Sequence, residues 1–177
     1  MKNLYRKEPI WFAVLWIVIY VVGFSAADGI SESIGIPKLI TVILGLLLSV
    51  ILAGFIHREG LADYYGLCNI KVKAANLAYF IPLALISSVN IWYGLRANLP
   101  VETAILSVIS MCIVALLEEV IFRGLLFKAM CRDNLKAAVI VSSLTFGFGH
   151  IVNLLLGAPV FDTMLQLFYA SAVGFCY

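Results

Sequence analysis

Charged residues are scarce in this sequence. They make up 12% of its 177 residues, whereas 63% are hydrophobic, and a water-soluble domain usually carries about twice that charged fraction. The formal net charge of +2 gives no basic field of the kind that nucleic acids bind, and we find no nucleic-acid-binding motif. This composition argues against a soluble domain and indicates an integral membrane protein.

Paired cysteines and clustered histidines are also lacking. The sequence has no CxxC pair and no HExxH zinc motif, so neither a metal cluster nor a disulfide framework is indicated. The only histidines are His57 and His150, and the four cysteines are Cys68, Cys112, Cys131 and Cys176.

Long apolar segments recur instead, each near the length of about 20 residues that crosses a bilayer. They predict an all-α polytopic protein with one membrane domain over 1–177, its N-terminal spans in 1–100 and its chemistry-bearing helices in 101–177. The first segment also resembles a signal peptide, but its apolar run is longer than a usual signal core, and we favour an uncleaved span. The predicted helices are 9–26, 38–56, 75–93, 103–128, 137–156 and 161–177.

One of these helices contains three charges. The stretch ALLEEVIFRGLLF holds Glu118, Glu119 and Arg123, and each charge near a helix centre costs about 2.5–3.5 kcal/mol of insertion free energy. Glu119 and Arg123 stand four residues apart and can pair along the helix. Glu118 points to a different face, so it needs water or a group from another helix. A carboxylate beside intramembrane water is typical of general acid–base chemistry, although a structural role also fits.

The next helix contains SSLTFGFGHIVN, in which Phe146, His150 and Asn153 share one face. Small residues nearby, including Gly147, permit close helix approach. Counting from the cytoplasmic ends of the two antiparallel helices, Glu118 and His150 lie within about one turn of each other in height. We expect them to meet in an intramembrane cavity on the cytoplasmic side.

These residues resemble two motifs of a known family. Glu118-Glu119-x-x-x-Arg123 matches EExxxR and Phe146-x-x-x-His150 matches FxxxH, the first two motifs of the CPBP family of CaaX-protease and bacteriocin-processing (Abi-type) intramembrane endopeptidases. The resemblance covers roughly residues 100–177.

The resemblance implies a peptide or protein substrate at the bilayer and a location in the bacterial plasma membrane. It implies that Glu118 activates a water, that His150 holds that water or stabilises the oxyanion, and that Glu119 and Arg123 support the site. Phe146 and Asn153 would bind the substrate or support these catalytic residues. If the protein is a metalloenzyme, zinc would be held by Glu118 and His150.

The family's third motif, a later His followed four residues on by Asn, has no counterpart after His150. The last helix also ends without a basic anchor. We therefore expect the protein to continue past Tyr177 with a further span, and the 177-residue form to be inactive. Two other functions stay open: a non-catalytic relative that binds peptides or acts in bacteriocin self-immunity, and a fragment of a proton-coupled transporter that uses Glu118, Arg123 and His150 as a relay.

The distribution of basic residues predicts the orientation. With a cytoplasmic N-terminus and six alternating spans, nine Lys and Arg fall in cytoplasmic segments and two, Lys38 and Arg96, fall outside. A cysteine introduced at Asn98 should therefore react with a membrane-impermeant thiol reagent added from outside. Labelling only from the cytoplasmic side would reverse the orientation.

Overall fold

The described chain is a bundle of helices. The computed structural model describes residues 1–67, 76–78, 81, 85, 100–155 and 157–176. Within them the helices of four or more residues are α1 (Lys2–Lys7), α2 (Pro9–Ile34), α3 (Leu39–Arg58), α4 (Val101–Cys131), α5 (Leu135–Gly149), α6 (Val152–Leu155) and α7 (Val160–Cys176). No strand occurs in these ranges.

Four of the helices are long and apolar enough to cross a membrane: α2, α3, α4, and α5 together with the residues up to Leu154. A backbone in hydrocarbon has no water to bond with, so apolar segments of this length satisfy their peptide groups as helices. Helix α7 is apolar but shorter. The all-α membrane fold is confirmed, whereas the predicted span 75–93 falls almost wholly outside the described residues.

Helix α2 is longer at its C-terminal end than the predicted 9–26. Its last turns carry polar residues that find partners at the start of α3: Lys38 Nζ lies 2.8 Å from Asp28 Oδ2, and Thr41 Oγ1 donates to Asp28 Oδ1. Ser31 Oγ accepts the backbone N–H of Ile40 at 3.0 Å. The helix then ends at Gly35, whose φ of 79° is the left-handed conformation of a helix C-cap.

Helix α4 contains a change of helical type that the sequence did not predict. It is α-helical over Val101–Glu118, π-helical over Glu119–Phe127 and α-helical again over Lys128–Cys131. The first glutamate of EExxxR is thus the last α-helical residue, and the other residues of the motif lie in the π-helix. Short π segments inside α-helices occur often at functional sites.

The predicted helix 137–156 is divided in two. Helix α5 ends at Gly149 with His150 as its C-cap, and Asn153 lies on the short α6 rather than on the same helix as His150. Gly147 and Gly149 weaken the helix near this end, because glycine has the lowest helix propensity after proline.

The core lies where α2, α3 and α4 meet. Aromatic rings fill the end of the bundle that carries the N-terminus: Tyr5 and Phe12 each pack within 5.4 Å of Phe55 between ring centroids. Tyr65 Oη donates to Tyr5 Oη at 2.9 Å. Burial, with this hydrogen bond, raises the pKa of Tyr65 above its ordinary value.

Helices α5 and α7 approach closely through small residues. A Cβ placed on Gly174 would lie 2.9 Å from the Cα of Ser143, and one on Gly147 would lie 2.8 Å from the carbonyl oxygen of Leu167 and collide with Ser171 Oγ. The small residues around Gly174 therefore pack against α5 of the same chain, in the manner of small-xxx-small contacts between membrane helices.

This close approach predicts a stability effect. Gly147→Ala should lower the free energy of unfolding in detergent by about 1–3 kcal/mol, because the added methyl group forces α5 and α7 apart. Gly149→Ala is the matched control, since a Cβ there meets no atom within 4 Å. Equal stability of the two variants, measured by the same denaturant titration, would contradict the packing.

Candidate functional site

The motif residues of the C-terminal part meet in one place. Glu118 from α4, Phe146 from α5, His150 at the end of α5 and Asn153 from α6 all line a cavity of about 400 Å³, which we name the main cavity. The two motifs, separated by about thirty residues in the sequence, therefore face a common space.

Glu118 is half-buried in the wall of the main cavity. Its Oε1 accepts a hydrogen bond of 2.8 Å from the phenol Oη of Tyr20, on the middle of α2. The group from another helix that Glu118 was expected to need is thus a tyrosine hydroxyl.

His150 is held by aromatic rings on one side. The Phe146 ring lies edge-on to the imidazole with centroids 5.7 Å apart, and it packs edge-on against Phe122 of α4 at 5.4 Å. The phenylalanine of FxxxH therefore connects the histidine to the helix that carries Glu118.

A chain of amides holds His150 on another side. Asn153 Nδ2 donates to Gln166 Oε1 at 2.8 Å, and Gln166 Nε2 lies 3.4 Å from His150 Nδ1. An amide nitrogen can only donate. In this arrangement Nδ1 is the acceptor, so the proton of a neutral imidazole is on Nε2.

Glu119 and Arg123 line a second, smaller space. This side cavity of about 170 Å³ is bordered by both residues and also by Glu118, Phe146 and Val173. Glu119 is exposed and Arg123 is half-buried. The structure thus brings the whole EExxxR motif next to Phe146, while the predicted pairing of Glu119 with Arg123 and their supporting role stay predictions.

The main cavity extends in a direction that differs from expectation. It reaches Asp28 and Lys38, at the end of the bundle opposite the N-terminus, rather than the N-terminal end that we expect to be cytoplasmic. The packed rings of Phe12, Trp16 and Phe122, all buried, fill the N-terminal side of the bundle. Among the described helices, the cavity that Glu118 shares with His150 therefore extends away from these rings.

The side chains available for a metal are few. In the ranges that the structure describes, no three His, Cys, Asp or Glu side chains are grouped so that they could hold an ion. Glu118 and His150 provide two ligands, whereas a catalytic zinc usually has three from the protein. His150 Nδ1 also faces an amide N–H. The described donors do not fit a catalytic zinc site.

Two residues that make hydrogen bonds to predicted site residues in the main cavity were not themselves predicted from the sequence. Tyr20 and Gln166 both line this cavity, and the sequence contains a weak indication of each. Tyrosine in membrane helices is enriched at the interfaces, yet Tyr20 lies near the middle of its span. Gln166 is a polar amide near the middle of a mostly apolar helix, and such a group is costly without a partner.

Comparison with known proteins agrees with the motifs. Residues 100–177 match the family model of Rce1-like type II CAAX prenyl endopeptidases. Among curated proteins and solved structures, no significant match was found. The matched segment contains both motifs and Gln166 but not Tyr20. The resemblance is thus confirmed at the level of the family model: residues 100–177, which hold both motifs, are similar to Rce1-like type II CAAX prenyl endopeptidases.

Proposed function

We propose that the protein is an intramembrane endopeptidase in which Glu118 activates a water for attack on a peptide bond. The observation that carries the proposal is that Glu118 and His150 line one cavity within the bundle, in a segment matched by an endopeptidase family. A carboxylate oxygen and an imidazole N–H beside one cavity can serve as the general base and as the donor to the oxyanion in peptide hydrolysis.

The proposed reaction has two steps. Glu118 takes a proton from the water while the water oxygen bonds to the carbonyl carbon of the substrate, and the carbonyl oxygen becomes an oxyanion. Glu118 then gives this proton to the leaving nitrogen as the C–N bond breaks. The products are a carboxylic acid and an amine, and no other reactant is needed.

His150 is the proposed donor to the oxyanion. With Nδ1 accepting from Gln166 Nε2, the N–H of Nε2 is left for a ligand. A donor fixed in place before the reaction stabilises developing charge without reorganisation. Asn153 and Gln166 would thus orient His150. Asn153 supports the site in this proposal by holding Gln166 in place.

The substrate class proposed from the family is a peptide or protein segment at the membrane. The test uses protein expressed from its gene through the natural stop codon and reconstituted in liposomes. Its probes are a farnesylated peptide ending in a CaaX sequence and the same peptide without the lipid, with products identified by mass spectrometry.

The first prediction concerns the base. Glu118→Gln keeps the side-chain shape and removes the base, so cleavage should fall by at least about 10²-fold, the lower range for general-base catalysis. Glu102→Gln is the matched control, because Glu102 is an exposed residue in the first turn of the same helix. Cleavage by Glu118→Gln at the rate of the control would refute water activation by Glu118.

A separate measurement tests for a metal. Loss of activity on incubation of the original protein with a zinc chelator would show that a metal takes part.

The second prediction concerns the orientation of His150. Gln166→Leu removes the donor to Nδ1 and should reduce kcat about tenfold, the size expected for loss of one hydrogen bond that fixes a catalytic group. Met164→Leu, on the same helix and exposed, should leave kcat unchanged. If Gln166→Leu matches Met164→Leu, the amide chain has no part in catalysis.

A further inference from the structure

The N-terminal part of the chain contributes a polar group directly to the candidate base. Tyr20 Oη donates to Glu118 Oε1 at 2.8 Å, and the two residues are 98 positions apart in the sequence. Tyr20 lies outside the family-matched segment 100–177, so neither EExxxR nor FxxxH identifies it.

Packing holds the Tyr20 ring in a fixed place. Its relative exposure is 8%, and it packs on the buried ring of Phe24 with centroids 4.7 Å apart. Phe24 in turn lies close to Gly45 of α3, where an added Cβ would be 3.0 Å from Phe24 Cζ. The phenol is therefore supported by two helices, and its hydroxyl is directed at the carboxylate by the fold rather than by a flexible side chain.

We infer that Tyr20 is a positioning residue for Glu118. The inference rests on the proposed function of Glu118 as base. By holding Oε1, the phenol fixes the rotation of the carboxylate and leaves Oε2 for the water in the main cavity. A hydrogen bond to an ionised carboxylate is stronger than one between neutral groups, so the phenol also stabilises the charged base where hydrocarbon surrounds the helix. Helix α2 thus forms one wall of the site and supplies a hydrogen-bond donor to the base.

The kinetic test compares Tyr20→Phe with Tyr5→Phe in the liposome assay. Tyr20→Phe keeps the ring and removes the donor, so we expect kcat to fall about 10-fold to 100-fold with KM unchanged, as for loss of a hydrogen bond to a charged group. Tyr5→Phe removes a hydroxyl that is also bonded to another side chain, Tyr65 Oη at 2.9 Å, but away from the main cavity. It should retain the original kcat. Replacing Tyr20 with p-aminophenylalanine restores a donor on the same ring and should recover most of the lost kcat.

A spectroscopic measurement tests the contact without a substrate. The infrared difference spectrum between the original protein and Glu118→Gln isolates the carboxyl bands of Glu118. In Tyr20→Phe these bands should be displaced, because the hydrogen bond to Oε1 is gone, and in Tyr5→Phe they should not move.

The outcomes separate the two proposals. If Glu118→Gln abolishes cleavage while Tyr20→Phe has the original kcat or unmoved carboxyl bands, the role of Tyr20 is overturned and the proposed function stands. A raised KM with unchanged kcat in Tyr20→Phe also overturns it, since Tyr20 would then bind substrate. If Glu118→Gln still cleaves, the base assignment fails, and positioning of a base by Tyr20 fails with it.

Discussion

A carboxylate in a membrane-crossing helix must receive its hydrogen bonds from the protein or from enclosed water, because hydrocarbon donates none. Glu118 meets this requirement with Tyr20 on one side and the main cavity on the other. The contact requires α2 to pack along α4, and both helices share their buried core with α3. The same arrangement places α2 along one side of the main cavity, which Tyr20 and Asp28 both line.

The second half of the site depends on contact between backbones. Gln166 can reach His150 and Asn153 only because α7 lies close to α5, and the glycines Gly147 and Gly174 allow that approach. In a bilayer, burial of apolar surface does little to bring helices together, so small residues and interhelical hydrogen bonds have a larger share. The amide chain therefore adds to helix packing at the same time as it orients the imidazole.

Much of this arrangement could be predicted from the sequence, and the exceptions have physical causes. Hydropathy located the described spans, because the bilayer imposes a helical length, and the spacing of Glu118, Phe146 and His150 placed them on neighbouring helices. The π-helix from Glu119 could not be predicted, because a π segment inside an α-helix has no composition of its own that distinguishes it. Tyr20 could not be assigned to Glu118, since the contact joins residues 98 positions apart and no local pattern records it.

The extension of α2 to Ile34 was missed for a similar reason. Asp28 and Ser31 are polar residues of the kind found in loops, and their partners come from the start of α3. These partners are Lys38, Thr41 and the backbone N–H of Ile40.

The main cavity is lined both by the segment that matches the family model and by the N-terminal spans. Glu118, Phe146 and His150 come from the matched segment, whereas Tyr20, Asp28 and Lys38 come from the N-terminal spans. The matched segment thus supplies the groups that the proposed chemistry uses, but it cannot enclose them alone, because one whole wall of the space belongs to α2 and the start of α3. Similarity over residues 100–177 therefore bears on the proposed base and oxyanion donor, and it leaves the wall formed by α2 and the start of α3 outside the match.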